Sequence, residues 1–212
     1  MHTILKNNKG FCININTNHP FKNQVLLFGT CAKVETVKFF DIERFLGLWY
    51  EIERFPAWYE GFGHCAYKRF QACGRRIEIE HSFVRNDIHY ILHVNSTYAP
   101  GNDAIFKFKK NNIDPLSIPL SILATDYTNY AVVYGCKNNE TLDIKYISAW
   151  ILSREKKLSP EILETAYREI NSIPYASTVY LEQVLQNEEK CVHHWTAHVH
   201  AEDVIDEEDD EL

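Results

Sequence analysis

The chain has 212 residues, enough for one large domain, and 45 % of them are hydrophobic with no unbroken apolar run near 18 residues, which excludes a transmembrane helix. The net charge of −7 is unevenly placed: residues 202–212 carry eight acidic and no basic side chains, leaving 22 basic against 21 acidic residues elsewhere. The body is therefore near neutral and offers nothing to a phosphate backbone, so no nucleic-acid partner is expected.

Residues 1–27 read as a poorly ordered or misassigned extension. The first 20 are Asn-rich and polar, and Val25 to Phe28 is too short for the apolar segment of an export signal. A misassigned N-terminus fits this better than unconventional export. Six widely spaced cysteines contain no Cys-x-x-Cys pair, which disfavours a zinc cluster and favours disulfides in an exported protein. Two acceptor triplets for N-glycosylation, beginning at Asn95 and Asn139, point the same way.

Between Gly47 and Arg154 eight β-rich runs follow one another, at 47–55, 64–71, 75–84, 88–98, 104–109, 118–125, 130–137 and 144–153, separated by polar or Gly/Pro/Asn breaks. Neighbouring short runs of this kind form an antiparallel meander. Eight of them suit a closed up-and-down barrel, which leaves no free edge. Ser159 then offers a helix cap, Pro160 suits a first turn, and Ile162, Leu163, Ala166, Tyr167 and Ile170 form an apolar stripe, so one C-terminal helix packs outside the sheet and ends near Asn171. The fold class is all-β, an eight-stranded antiparallel barrel with one helix. Residues 192–212, with His193, His194, His198 and His200 ahead of the acidic run, read as a disordered tail, and no metal site is expected there because a site needs ligands held in fixed geometry.

Alternation sorts the faces. A glycosylated Asn95 faces water, which turns His89, Ile91 and His93 outward and Tyr90, Leu92 and Val94 inward. Ile77, Ile79, His81 and Phe83 share the inner face of the third run, Phe106 and Phe108 that of the fifth, Ile118, Leu120 and Ile122 that of the sixth, and Val133 that of the seventh. On the eighth, Tyr146, Ser148, Trp150 and Leu152 lie together. A solid core and a ligand-holding barrel both satisfy this pattern.

Three motifs break the tie. Gly47-x-Trp49-Tyr50 follows a short helical stretch at 40–46, Thr125-Asp126-Tyr127-x-Asn129-Tyr130 links the sixth and seventh runs, and Trp150-Ile151-Leu152-Ser153-Arg154 closes the eighth. In this order and spacing they resemble the lipocalin family, and within it the group containing apolipoprotein D and the insect bilin-binding proteins, over residues 28–191. The resemblance implies a calyx whose closed end is stopped by Trp49 with Arg154 over its ring, a structural part for Gly47, Thr125, Asp126 and Tyr127, and disulfides Cys31–Cys136 and Cys65–Cys191. Cys12 and Cys73 have no counterpart in that pattern; they pair with each other or leave Cys73 a free thiol.

With Trp49 inward, Glu51 and Glu53 face inward too unless a bulge intervenes. In the second run either phase turns one cation inward, Lys68 with Ala66 and Phe70 or Arg69 with Tyr67, and Lys68 is preferred. A buried charge needs a partner, so Lys68 is expected to pair with Glu53, or else to meet a ligand carboxylate. His81 joins this polar set, while Trp58, Tyr59 and Phe62 make the first loop apolar enough to touch ligand or membrane.

The resemblance implies a secreted, non-enzymatic carrier that holds a bilin, fatty acid, retinoid or steroid non-covalently, with no cofactor beyond such a pigment or lipid. It also implies a monomer or weak homo-oligomer whose mouth loops contact a receptor or membrane. Two alternatives stand beside it: an isomerase acting on a prostaglandin through a cavity thiol, and a filled barrel that serves as an interaction protein.

Overall fold

A computed structural model describes residues 3–6, 12–15, 24–57, 59–61, 63–74, 76–98, 104–111 and 114–202. In chain order, β1 (Thr3–Lys6), β2 (Cys12–Ile15) and β3 (Val25–Phe28) precede a single-turn helix α1 (Ile42–Phe45). Then come β4 (Gly47–Arg54), β5 (His64–Cys73), β6 (Arg76–Arg85), β7 (Ile88–Thr97), β8 (Ile105–Phe108), β9 (Leu120–Thr125), β10 (Tyr130–Asn139) and β11 (Ile144–Ser153). Among the described residues, helix α2 (Pro160–Asn171) and two short strands, β12 (Glu182–Gln183) and β13 (Trp195–His200), follow.

Strands β4 to β11 each pair antiparallel with the next, and β11 returns to β4, closing an eight-stranded barrel. All eight predicted runs are strands, with ends displaced by a few residues. The seam between β7 and β8 is short: among the described residues the two strands meet at Ser96–Phe108 and Thr97–Lys107. That leaves the first part of β7 without a barrel partner on that side. The vacant edge is taken by β13, which runs parallel to β7 from Trp195–Ile88 to His200–His93.

Within the expected disordered tail at 192–212, Trp195–His200 form a strand instead: β-favouring Trp195, Thr196 and Val199 extend along an unpaired edge, which supplies backbone partners that the sequence alone does not reveal. Residues 203–212 lie outside the described residues. At the other end, the boundary at 27/28 falls inside β3, whose Val25 to Phe28 pair with Ile147 to Ile144 of β11.

Two apolar clusters follow from the alternation. One fills the inside of the barrel, and the other lies on its outer wall between Val132, Tyr134, Ile147, Ala149 and Ile151 and the buried Ala166 and Ile170 of α2. The helix starts as its sequence dictates, with the Ser159 side chain accepting from Ile162 N and Pro160 in the first turn. Both expected disulfides are present: Cys31–Cys136 ties the segment after β3 to β10, and Cys65–Cys191 ties β5 to the segment before β13. Cys73 is exposed at the end of β5 and forms no disulfide with any described residue.

Candidate functional site

The closed end is built from one tryptophan and one arginine. Trp49 is fully buried, its indole Nε1 donates to Phe45 O at 2.8 Å, and the Arg154 guanidinium lies 3.6 Å above its ring. Arg154 also donates to the carbonyls of Arg44, Phe45, Leu46, Leu48 and Tyr127, so its planar fork satisfies carbonyls from α1, β4 and the β9–β10 turn. Gly47 has to be glycine: its φ is +100°, and a Cβ there would stand 3.3 Å from Arg154 Nη1.

The Thr125-Asp126-Tyr127 motif shapes that turn. Asp126 Oδ1 accepts from the backbone N–H groups of Thr128, Asn129 and Tyr130, which together with the Asn129 side chain hold its carboxyl below the ordinary range against the upward push of partial burial. Above the plug, Phe40, Phe45, Phe70 and Phe106 pack ring on ring at centroid distances of 5.0 to 6.2 Å. Phe70 and Phe106, expected to line a ligand, therefore form the aromatic floor.

Higher in the barrel sits a buried charge group. Lys68 is 0 % exposed; its Nζ lies 2.7 Å from Glu51 Oε1 and 3.3 Å from Glu60 Oε1 as ion pairs, 2.8 Å from His81 Nδ1, and 4.3 Å from the Trp150 ring centroid. Arg54 completes the set, 2.9 Å from Glu51 Oε2 and 3.4 Å from Glu60 Oε2. Two carboxylates face two cations. Such a group persists only because each charge has partners, since the desolvation of an unpaired ion costs several kcal/mol.

The Lys68 partner differs from the expected Glu53. The register of β4 against β11 shifts between Glu51–Leu152 and Glu53–Ile151, a bulge that turns Glu53 outward, where it accepts from Tyr167 of α2 at 2.8 Å. Glu51 and Arg54 point inward instead. Burial and the nearby Lys68 cation drive the His81 pKa down to about 4, so the ring is neutral and its Nδ1 accepts from Lys68. Burial alone would raise the Glu60 carboxyl, yet the Lys68 and Arg54 cations outweigh it and keep Glu60 ionised well below the usual carboxylate range.

Glu60 belongs to the loop between β4 and β5 and descends into the barrel from its open end. Arg54 Nη2 holds this loop by donating to Glu60 O (2.6 Å) and Gly63 O (3.0 Å), while Trp150 Nε1 donates to Glu60 Oε2 at 3.4 Å. Ala57 and Tyr59 are buried with it, and Tyr59 stands edge-on to His81. Burial, with Glu60 and Glu51 nearby, pushes the Tyr59 phenol far up. Trp58 and Phe62 lie outside the described residues.

Among the other expected lining residues, Phe83, Leu92, Val94, Leu120, Ile122, Val133 and Trp150 are buried in the inner cluster, with Tyr90 and Phe108 partly buried against it. Tyr146 is only partly buried on β11 beyond the end of β4 and joins neither cluster. Phe83 stacks on Tyr90, Phe106 sits in the floor and Trp150 lies under Lys68, all within the one inner cluster. Arg54 and Glu60 were missed by sequence reading. A break in the alternation of β4 after Glu51 is the one local sign of the first, and none marks the second.

A closed eight-stranded barrel with a tryptophan plug at one end, an inserted loop at the other and a helix on its wall defines a calyx-type barrel protein. The model of the lipocalin / cytosolic fatty-acid binding protein family matches residues 46–184, and the chain belongs to the lipocalin family. It is 30 % identical to insecticyanin-A of Manduca sexta over 175 residues, covering 74 % of this chain and 90 % of that protein. It is 31 % identical to apolipoprotein D of Mus musculus (67 % and 75 %) and 27 % identical to the bilin-binding protein of Pieris brassicae (63 % and 71 %). The solved structure of insecticyanin from the tobacco hornworm aligns with a TM-score of 0.71 at 24 % identity, over 84 % of this chain and 97 % of that one. Lobster apocrustacyanin A1 aligns at 0.62 and 21 % over 77 % and 92 %; these structural likenesses show the fold.

Proposed function

We propose that this chain is an exported carrier that holds a small hydrophobic ligand non-covalently in its barrel, and that a carboxylate on the ligand takes the place of the Glu60 carboxylate between Lys68 and Arg54. Glu60 carries this reading. It is a carboxylate supplied by a loop, at 1 % exposure, seated on two cations fixed to barrel strands, and in this proposal it leaves as the loop lifts. The displaced position then offers positive charge inside an otherwise apolar wall, which fixes the orientation of an amphipathic guest.

Bilins and fatty acids have the required chemistry, and the names of the insecticyanin and bilin-binding relatives favour the pigment class. A retinoid enters this class as its acid; an uncharged steroid does not use the cations. Two disulfides and an exposed Asn95 agree with export and glycosylation, as does Asn139 near the β10–β11 turn. A monomer or weak homo-oligomer, with receptor or membrane contact through the mouth loops, completes the proposal. The isomerase alternative needs a cavity thiol, but Cys65 is bridged to Cys191 and Cys73 is exposed.

Native mass spectrometry of protein secreted from insect or mammalian cells tests the carrier reading. A retained guest of a few hundred daltons, or saturable quenching of tryptophan fluorescence by one equivalent of biliverdin or oleate, is expected. Neither a retained mass nor saturable quenching by any of biliverdin, oleate, retinoic acid or progesterone contradicts it.

A further inference from the structure

Outside the barrel, six of the ten histidines gather on or beside the seam of β7 and β13: His89, His93, His193, His194, His198 and His200. The register places His93 at the centre of a row across three strands, with Glu80 of β6 directly opposite on one side and His200 of β13 on the other. Glu78, one outward position along β6, reaches His93 Nδ1 with its Oε1 at 2.8 Å. Single ligand atoms from Glu78, Glu80 and His93 all lie within 4.8 Å of one another.

We propose that this seam is a binding site for a divalent transition-metal ion, with the Glu78 and Glu80 carboxylates and His93 Nδ1 as its ligands. One imidazole with two carboxylates is a nitrogen and oxygen set suited to zinc or copper, and water completes a tetrahedron. Bonds near 2.1 Å place such donors about 3.3 Å apart, so glutamate rotamer changes on a partly exposed face close the set. The side chains of His93, Glu80 and Glu78 are 14 %, 16 % and 30 % exposed, which leaves the ion a path in.

The surroundings orient the imidazole. His93 Nε2 stands 3.0 Å from His198 Nδ1, and the His200 ring is stacked on His93 at 4.5 Å. When the metal takes Nδ1, the His93 proton moves to Nε2 and is donated to His198, the arrangement by which a neighbour fixes the tautomer of a ligating histidine. Arg69, 3.5 Å from Glu80 Oε2, is the cation that the metal displaces. His198 and His200 belong to β13, so that strand meets the site only through their contacts with the His93 ring. The site is independent of any guest inside the barrel.

Isothermal titration of chelator-stripped full-length protein with zinc chloride tests this. One equivalent should bind with micromolar or tighter affinity, Glu78→Gln/Glu80→Gln should weaken it at least tenfold, and His193→Gln/His194→Gln should leave it unchanged. The absence of binding up to 1 mM zinc overturns the proposal, as does a glutamate variant that binds like the parent or an equal loss in the histidine control. Should the glutamate variant fail to fold, electron paramagnetic resonance of the intact protein with one equivalent of copper(II) decides: mixed nitrogen and oxygen donors are expected, and three or more nitrogens without carboxylate overturn it.

Discussion

Lys68 and Glu60 meet at 3.3 Å inside the barrel, although Lys68 stands on a strand and Glu60 on the loop that leads into it. The loop is therefore closed by charge, while the opposite end is closed by packed rings. Breaking one partner of such a buried set leaves an uncompensated ion, which costs about 3–5 kcal/mol. Glu60→Gln should lower unfolding stability by about 3 kcal/mol in urea denaturation, and adding Lys68→Met should recover most of the loss. A single variant as stable as the parent would show that the Glu60 contacts contribute little.

His81 gives the barrel a pH dependence. Its folded pKa, about 4, lies below the ordinary 6.5, so within that window the unfolded chain binds a proton that the folded chain refuses. The sign follows: this stabilisation is complete above pH 6.5 and is lost as pH falls to about 4, by ~3 kcal/mol in total. His89, partly exposed and also lowered to about 4 by burial and by His193 and His198, acts in the same direction. Urea midpoints measured from pH 7.5 to 4 should fall more steeply in the parent than in His81→Gln. Parallel curves would contradict this assignment.

At the closed end, Arg154→Ala removes donors from five carbonyls together with a cation–π contact, and should cost about 3–5 kcal/mol. Arg154→Lys keeps the charge without the planar fork and should recover less than half. Gly47→Ala combines a φ of +100° with a Cβ 3.3 Å from the same guanidinium and should cost about 1–3 kcal/mol. Chemical denaturation of the three variants checks the ranking.

Gly63 lets the loop close. A Cβ there would fall 2.8 Å from Phe83 Cδ2 and 2.9 Å from Glu60 O, so Gly63→Ala must lift the loop or shift Phe83. Hydrogen exchange of the Glu60 and Gly63 amides, which donate to Ala57 O and Glu60 O, should speed up at least tenfold while that of β10 stays slow. Unchanged exchange would mean that Phe83 yields instead.

Most of the architecture was legible because period-two alternation and turn residues act locally: eight runs, the Ser159-capped helix and the inward Lys68, His81 and Trp150 all follow from them. The plug and the two disulfides were legible through motif resemblance. What escaped has a common cause. A bulge moves Glu53 out and Arg54 in, Glu60 reaches its partners only after the loop folds back, and β13 exists because β8 leaves part of β7 bare. Each depends on partners distant in the chain or on a register slip of one residue, to which alternation is blind.

The displacement of Glu60 by a guest carboxylate is tested most directly by comparing biliverdin with its dimethyl ester on the parent protein and on Glu60→Gln, using fluorescence titration. The free acid should bind the parent at least tenfold more tightly than the ester, and Glu60→Gln should tighten the acid further while leaving the ester unchanged. Equal affinities for acid and ester, in both proteins, would contradict the displacement of Glu60 from Lys68 and Arg54.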